Sequence, residues 1–238
     1  MTRVLDPQRL PTGRVLAVST ALLTLGVILG GLLVADVAGP PFQSLDEGWA
    51  SWVVGLRSPF WDGINAFLNL AGYRGVLVLD GLLALALLLR RRPQTAIFTA
   101  VAGVAVLVLT QILKASIHRT RPENTIVLTD TGSFPSGHVA TTTALLLVLA
   151  ILVGRTWVWV LAAAGILFMM VSRTYVSAHW LTDTVGGVCL AAPVVLLLWL
   201  GYQNICIQEN KDARRLLTWR ARASRRRQAA EHPESEPR

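Results

Sequence analysis

Three short segments of this 238-residue chain place cations, histidines and a carboxylate at spacings that suit phosphate chemistry. The first reads Lys114-x6-Arg121-Pro122, the second Pro135-Ser136-Gly137-His138, and the third Ser172-Arg173-x5-His179-x3-Asp183. Arginine's planar fork binds phosphate oxygens in pairs, and lysine adds a compact charge. Lys114, Arg121 and Arg173 would repel one another in a partly dry pocket, and a bound polyanion relieves that repulsion. His138 follows Ser136 and Gly137 at the expected start of a helix, where outward-pointing N–H groups favour an anion and glycine admits close approach. His179 and Asp183 are four residues apart, which on a helix puts them on one face. The carboxylate can then accept one imidazole N–H and leave the other nitrogen's lone pair free as a nucleophile. His138 remains available as the acid that protonates the leaving oxygen. Such a set suffices for phosphoryl transfer by positioning and charge alone, without a metal.

With these residues in view, the chain resembles the type 2 phosphatidic acid phosphatases (PAP2), which share their pocket with the vanadium haloperoxidases. That family's pattern is K-x6-R-P, P-S-G-H, then S-R-x5-H-x3-D, and every defining position is matched here in order. The resemblance implies a phosphate site of Lys114, Arg121 and Arg173, with hydrogen bonds from Ser136 and the Gly137 amide. It implies His138 as acid, His179 as nucleophile and Asp183 as its partner. It also implies a phosphohistidine intermediate hydrolysed by water, with neither metal nor other cofactor. His118 and Arg119 lie within the first motif, but the pattern does not specify them, and His118 is expected to serve the loop.

The elements that must carry these motifs are read from hydropathy. The chain is 53% hydrophobic and only 15% charged, against about 25% charged in soluble domains. A spanning helix needs roughly 20 apolar residues. The expected fold is all-α: a polytopic membrane protein with six transmembrane helices, a PAP2/haloperoxidase-like bundle. Spans are expected at about 15–34, 73–89, 95–113, 138–153, 157–171 and 184–202. Residues 1–206 read as one transmembrane domain and 207–238 as a basic, partly disordered cytoplasmic tail. The first run is long for a signal peptide and lacks an A-x-A site, so it is expected to be retained. Residues 35–72 mix Trp49, Trp52, Phe60 and Trp61 with charges, as befits a segment at the membrane interface. Residues 61–70 are read as too polar to span. Asp80 sits mid-span, where an ionisable group is costly. Cys189 and Cys206 show no metal-ligand spacing and read as buried thiols.

The net charge of +8 concentrates after the last span, with eight Lys and Arg residues between Lys211 and Arg227. This is a membrane-flanking pattern that faces anionic head groups, and it excludes a nucleic-acid role. With both termini placed inside, Arg3–Arg14, Arg90–Arg92, Arg155 and the tail obey the positive-inside rule, and all three motifs fall on the outer side. The expected partner is therefore a membrane lipid phosphate. The expected activity is removal of phosphate from a polyprenyl diphosphate at the outer leaflet, or from phosphatidylglycerophosphate or phosphatidic acid. A catalytically silent phospholipid-binding or translocating protein is the rival of a different class, and it is disfavoured by the intact His138, His179 and Asp183. The haloperoxidases it resembles are soluble, which the apolar spans disfavour. Neither the oligomeric state nor the lipid tail is written in these residues.

Overall fold

The computed structural model describes residues 5–129 and 132–231, with the side chains of Arg214 and of residues 216–231 left undescribed. It is helical, without strands among the described residues. The elements are α1 (Thr12–Ala35), α2 (Gln43–Val54), α3 (Pro59–Leu70), a π-helical turn (Ala71–Gly75), α4 (Val76–Leu89), α5 (Pro93–Ile117), α6 (Gly137–Val153), α7 (Thr156–Tyr175) and α8 (Leu181–Glu231). Five stretches are long and apolar enough to cross a membrane: 12–35, 59–89, 93–117, 156–175 and 181–213. The sixth apolar helix, α6, has 17 residues, or about 25 Å at the helical rise. It is slightly short for a hydrocarbon core of about 30 Å. The expectation of a six-helix membrane bundle therefore holds, with α6 the shortest of the apolar helices.

Lipid cannot drive helices together by hydrophobicity, so close packing of small residues must do so. Ala102 on α5, Ala140 and Ala144 on α6 and Ala191 on α8 are all buried at these contacts, around Phe98, Val106, Val148, Ile151 and Trp199. The close approach of α8 to α6 requires Gly187, where a Cβ would lie 2.8 Å from the Ser136 carbonyl oxygen. At the end opposite the motifs, the N-terminal leader is tied to the bundle. Asp6 and Gln8 donate backbone bonds to Leu152 and Ile151, and Trp199 Nε1 donates to Gln8 O. Glu209 of α8 caps the first turn of α5 by accepting from the Gln94 and Thr95 amides.

Three expectations are corrected. Residues 61–70 do not stop short of the second span: α3, the π turn and α4 form one stretch, 59–89. Its polar residues are tolerated because they find partners, Asp62 with the Tyr175 hydroxyl and Asn69 with Arg173. The last helix begins at Leu181 and runs to Glu231, so the tail is helical through residue 231, and its final residues, 232–238, lie outside the described residues. His179 precedes α8 and does not share a helical face with Asp183, although the turn still brings the two together. Asp80 abuts Gly103 of α5, away from the site. Cys189 and Cys206 are buried in α8.

Candidate active site

Lys114 enters from the last turn of α5, Arg121 from the following loop, His138 from the first turn of α6, and His179 from the α7–α8 turn. They line one cavity of about 470 Å³, together with Asn69, Tyr73, Arg74, Gln111 and Gly137. A larger cavity of about 740 Å³ lies at the opposite end, against Arg90, Arg91 and Glu209. No motif residue reaches it, so it is not the site.

The nucleophile candidate is set between two charges. His179 Nε2 lies 3.4 Å from Arg121 Nη1, and Nδ1 lies 3.6 Å from Asp183 Oδ2. The second distance is too long for a hydrogen bond, so that contact is electrostatic. The pairing fits a proton on Nδ1 and a lone pair on Nε2 facing the cavity. Burial pushes the imidazole down to about 4, against the opposing pull of Asp183, and Arg121 and Lys114 push it the same way as burial. His179 is therefore neutral near pH 7. Arg121 is spread over the same loops: it donates to the Ala178 and Gly132 carbonyls. Lys114 Nζ donates to that same Gly132 oxygen at 3.0 Å. Sharing the Gly132 oxygen brings both cations to the cavity, where phosphate oxygens can bind them.

Asp183 is fully buried and held on both oxygens. Oδ2 accepts from the Trp180 amide at 2.9 Å, and Oδ1 accepts from Arg119 at 2.7 Å. Arg119 also donates to Asp46 Oδ2 at 2.7 Å and to Thr182 Oγ1 at 2.8 Å, between the rings of Phe42 and Trp180. Asp46 in turn accepts from the Thr182 amide and hydroxyl. This Asp46–Arg119–Asp183 network was missed in the sequence. The only signal for it was a third basic residue inside the first motif and an acidic residue on an amphipathic interfacial helix.

The acid candidate sits on the opposite wall. His138 Nε2 lies 3.1 Å from the Asn69 carbonyl oxygen, with its ring 5.6 Å from that of Tyr73. Gly72 makes the slot for this ring: a Cβ there would lie 2.9 Å from His138 Cδ2 and 2.9 Å from Met169 Cε. π turns recur at functional sites, and this one aims Asn69, Tyr73 and Arg74 at the cavity. Arg173 does not line the cavity. It is fully buried one layer behind it, donating to Asn69 Oδ1 at 2.8 Å and to Ser172 Oγ at 2.9 Å. Asn69 thus joins His138 to Arg173, a role nothing in the motifs announced. Ser136 is buried; its amide donates to the Asp183 carbonyl oxygen, and its hydroxyl has no partner among the described residues. His118 closes α5 in the left-handed region at φ 52°.

The 35–72 connection proves to be the clamp on the α7–α8 turn. Arg57 donates to Tyr175 O, Asn124 O and Ser177 Oγ, and the Tyr175 hydroxyl accepts from the Ser58 amide. Trp49 packs with Val53, Tyr175, Val176 and Ala178.

Residues 94–206 match the model of the PAP2 superfamily. The chain is 25% identical over 164 residues to an undecaprenyl-diphosphatase from Sulfolobus acidocaldarius, covering 65% of this chain and 74% of that one. Its fold is similar to the crystal structure of a transmembrane PAP2 type phosphatidylglycerolphosphate phosphatase from Bacillus subtilis. The TM-score is 0.70 at 22% identity, over 79% of this chain and 96% of the other. The motifs, the helical membrane fold and these likenesses converge on one statement: residues 94–206 are similar to the PAP2 superfamily, in a chain whose fold resembles that of a transmembrane PAP2 protein.

Proposed function

We propose that this protein hydrolyses the terminal phosphate of a polyprenyl diphosphate, with phosphatidylglycerophosphate or phosphatidic acid as the substrates to be excluded. The observation that carries the reading is the neutral His179, its Nε2 turned to the cavity beside Arg121 and its Nδ1 turned to Asp183. The likeness to an undecaprenyl-diphosphatase supports the choice of lipid.

In the first step, His179 Nε2 forms a bond to the terminal phosphorus, and the P–O bond to the leaving group breaks with its electron pair going to that oxygen. His138 supplies the proton where the leaving oxygen needs one. Lys114 and Arg121 hold the transferring oxygens; Arg173 adds its charge from behind Asn69, and the Ser136 hydroxyl and Gly137 amide add hydrogen bonds. Asp183 balances the charge that builds on His179. In the second step, water attacks the phosphohistidine: a new P–O bond forms as the P–N bond breaks with its electron pair returning to His179 Nε2, His138 takes the water's proton, and inorganic phosphate leaves. Charge and positioning do the work throughout, as expected for phosphoryl transfer.

The leader, the Arg90–Arg92 turn and the basic tail all lie at the end opposite the site, which under the positive-inside rule supports a cavity facing the outer leaflet. The test is phosphate release by the purified protein from a polyprenyl diphosphate, in detergent with EDTA. Release persists with EDTA, and His179→Ala abolishes it while the protein stays helical and monodisperse. Dependence on added magnesium, or substantial turnover by His179→Ala, refutes the mechanism. Preference for a glycerolipid phosphate refutes the choice of substrate.

A further inference from the structure

Arg173 is fully buried, and its guanidinium donates to two neutral oxygens, Asn69 Oδ1 at 2.8 Å and Ser172 Oγ at 2.9 Å. Asn69 is half-buried and lines the cavity that Arg173 does not line. It stands in the last turn of α3, directly before the π turn.

The bond from Arg173 fixes which way the Asn69 amide points. A guanidinium only donates, so the atom turned back toward the buried layer is the oxygen, and Nδ2 takes the other side of the amide. Nδ2 makes no hydrogen bond to a described residue. Unlike Arg173 Nε and the Ser136 hydroxyl, it is not sealed away from the accessible surface. An amide nitrogen offers two donors and no acceptor, which suits an anion. Hydrogen bonds in a chain polarise one another, so a full positive charge on Oδ1 makes those N–H groups stronger donors. The backbone of the same residue gives a second bearing. Asn69 O lies 3.1 Å from His138 Nε2, so the amide belongs to the residue that holds the acid candidate.

We propose that Asn69 binds the substrate phosphate through Nδ2, with Arg173 behind it as the positioning residue that orients and polarises the amide. The inference rests on the phosphatase reading and adds a phosphate-binding residue that the three motifs do not contain. Arg173 thereby acts on the phosphate without touching it, and no bond is made or broken at Asn69.

The experiment measures three quantities on wild type, Asn69→Ala, Asn69→Asp, Arg173→Met and the double variant Asn69→Ala/Arg173→Met. They are Tm in detergent, the affinity for inorganic phosphate by calorimetry, and kcat/KM on farnesyl diphosphate. Asn69→Asp keeps an oxygen for Arg173, so its Tm stays at or above that of the wild type. It puts an acceptor where the donor was, so phosphate affinity and kcat/KM both fall by about 10-fold or more. Asn69→Ala removes the donor without adding charge, and phosphate affinity falls by about 10-fold, as loss of one hydrogen bond to a charged group requires. Arg173→Met weakens phosphate binding less in Asn69→Ala than in the wild type, because part of its effect passes through the amide. Phosphate affinity within about threefold of wild type in a folded Asn69→Ala protein, or strictly additive losses for the pair, overturns the proposal and leaves Asn69 an anchor for Arg173, with the phosphatase intact. A Tm loss in Asn69→Asp as large as that in Asn69→Ala overturns the amide orientation. A wild type that binds phosphate but releases none from the lipid overturns the phosphatase reading, and the phosphate affinities still judge the donor.

Discussion

Replacing Arg119 by methionine removes the cation that bridges two buried carboxylates, Asp46 and Asp183. Each ion pair has an N–O distance of 2.7 Å, with charge centres about 4 Å apart. At an effective dielectric of about 20 that is roughly 4 kcal/mol of attraction per pair. Much of it offsets desolvation, so the net cost of deleting one partner of a buried pair is about 3–5 kcal/mol. For a chain of this size, each kcal/mol moves Tm by about 2–4 °C, so Arg119→Met lowers Tm by about 6–20 °C. Asp183, freed on Oδ1, no longer holds its Oδ2 toward His179, and kcat falls about 100-fold or more with little change in KM. The double substitution Asp46→Asn/Arg119→Met removes one stranded carboxylate and recovers part of the stability of Arg119→Met. The assay pairs thermal unfolding in detergent with kcat and KM on one lipid phosphate. If Arg119→Met melts within 2 °C of wild type and turns over within about threefold of it, the network neither supports the fold nor orients the nucleophile.

The depressed value of His179 sets a pH dependence. Because the folded protein protonates this imidazole only near 4 and the unfolded chain near about 6.5, the unfolded state binds more protons between those values. Stability therefore falls as pH drops through that window, and melting at stepped pH should show it. The acid limb of kcat/KM due to the nucleophile is expected near pH 4; a limb that stays at about pH 6.5 would show that His179 is not the group being titrated. Gly72→Val drives a branched side chain into His138 and Met169, so kcat should drop at least tenfold while Tm changes modestly; unaltered kcat would show that the slot does not hold the acid. For topology, Thr129→Cys should react with an impermeant thiol reagent in intact cells and Arg92→Cys should not, the native Cys189 and Cys206 being buried; the reverse pattern inverts the orientation.

The candidate site residues were legible because phosphate chemistry demands particular side chains at short spacings: Lys114 to Arg121, Ser136 to His138, Arg173 to Asp183. The spans were legible because the bilayer imposes a length and an apolar composition on any helix that crosses it. By itself the sequence thus determined the helical membrane bundle and put forward His179 as candidate nucleophile and His138 as candidate acid. The supporting contacts were decided by tertiary structure, because they pair residues far apart in the chain. Asp46 meets Thr182 across 136 positions, Arg57 meets Tyr175 across 118, and Asn69 meets Arg173 across 104. Their polarity along the chain reads only as interface, and so residues 61–70 looked unfit for a long helix until Asp62 and Asn69 acquired partners. The register of the π turn is tertiary as well: it aims Asn69 and Gly72 at His138 and Arg74 at the cavity, which no spacing along the chain reveals, since it depends on how that helix lies against α6 and α7.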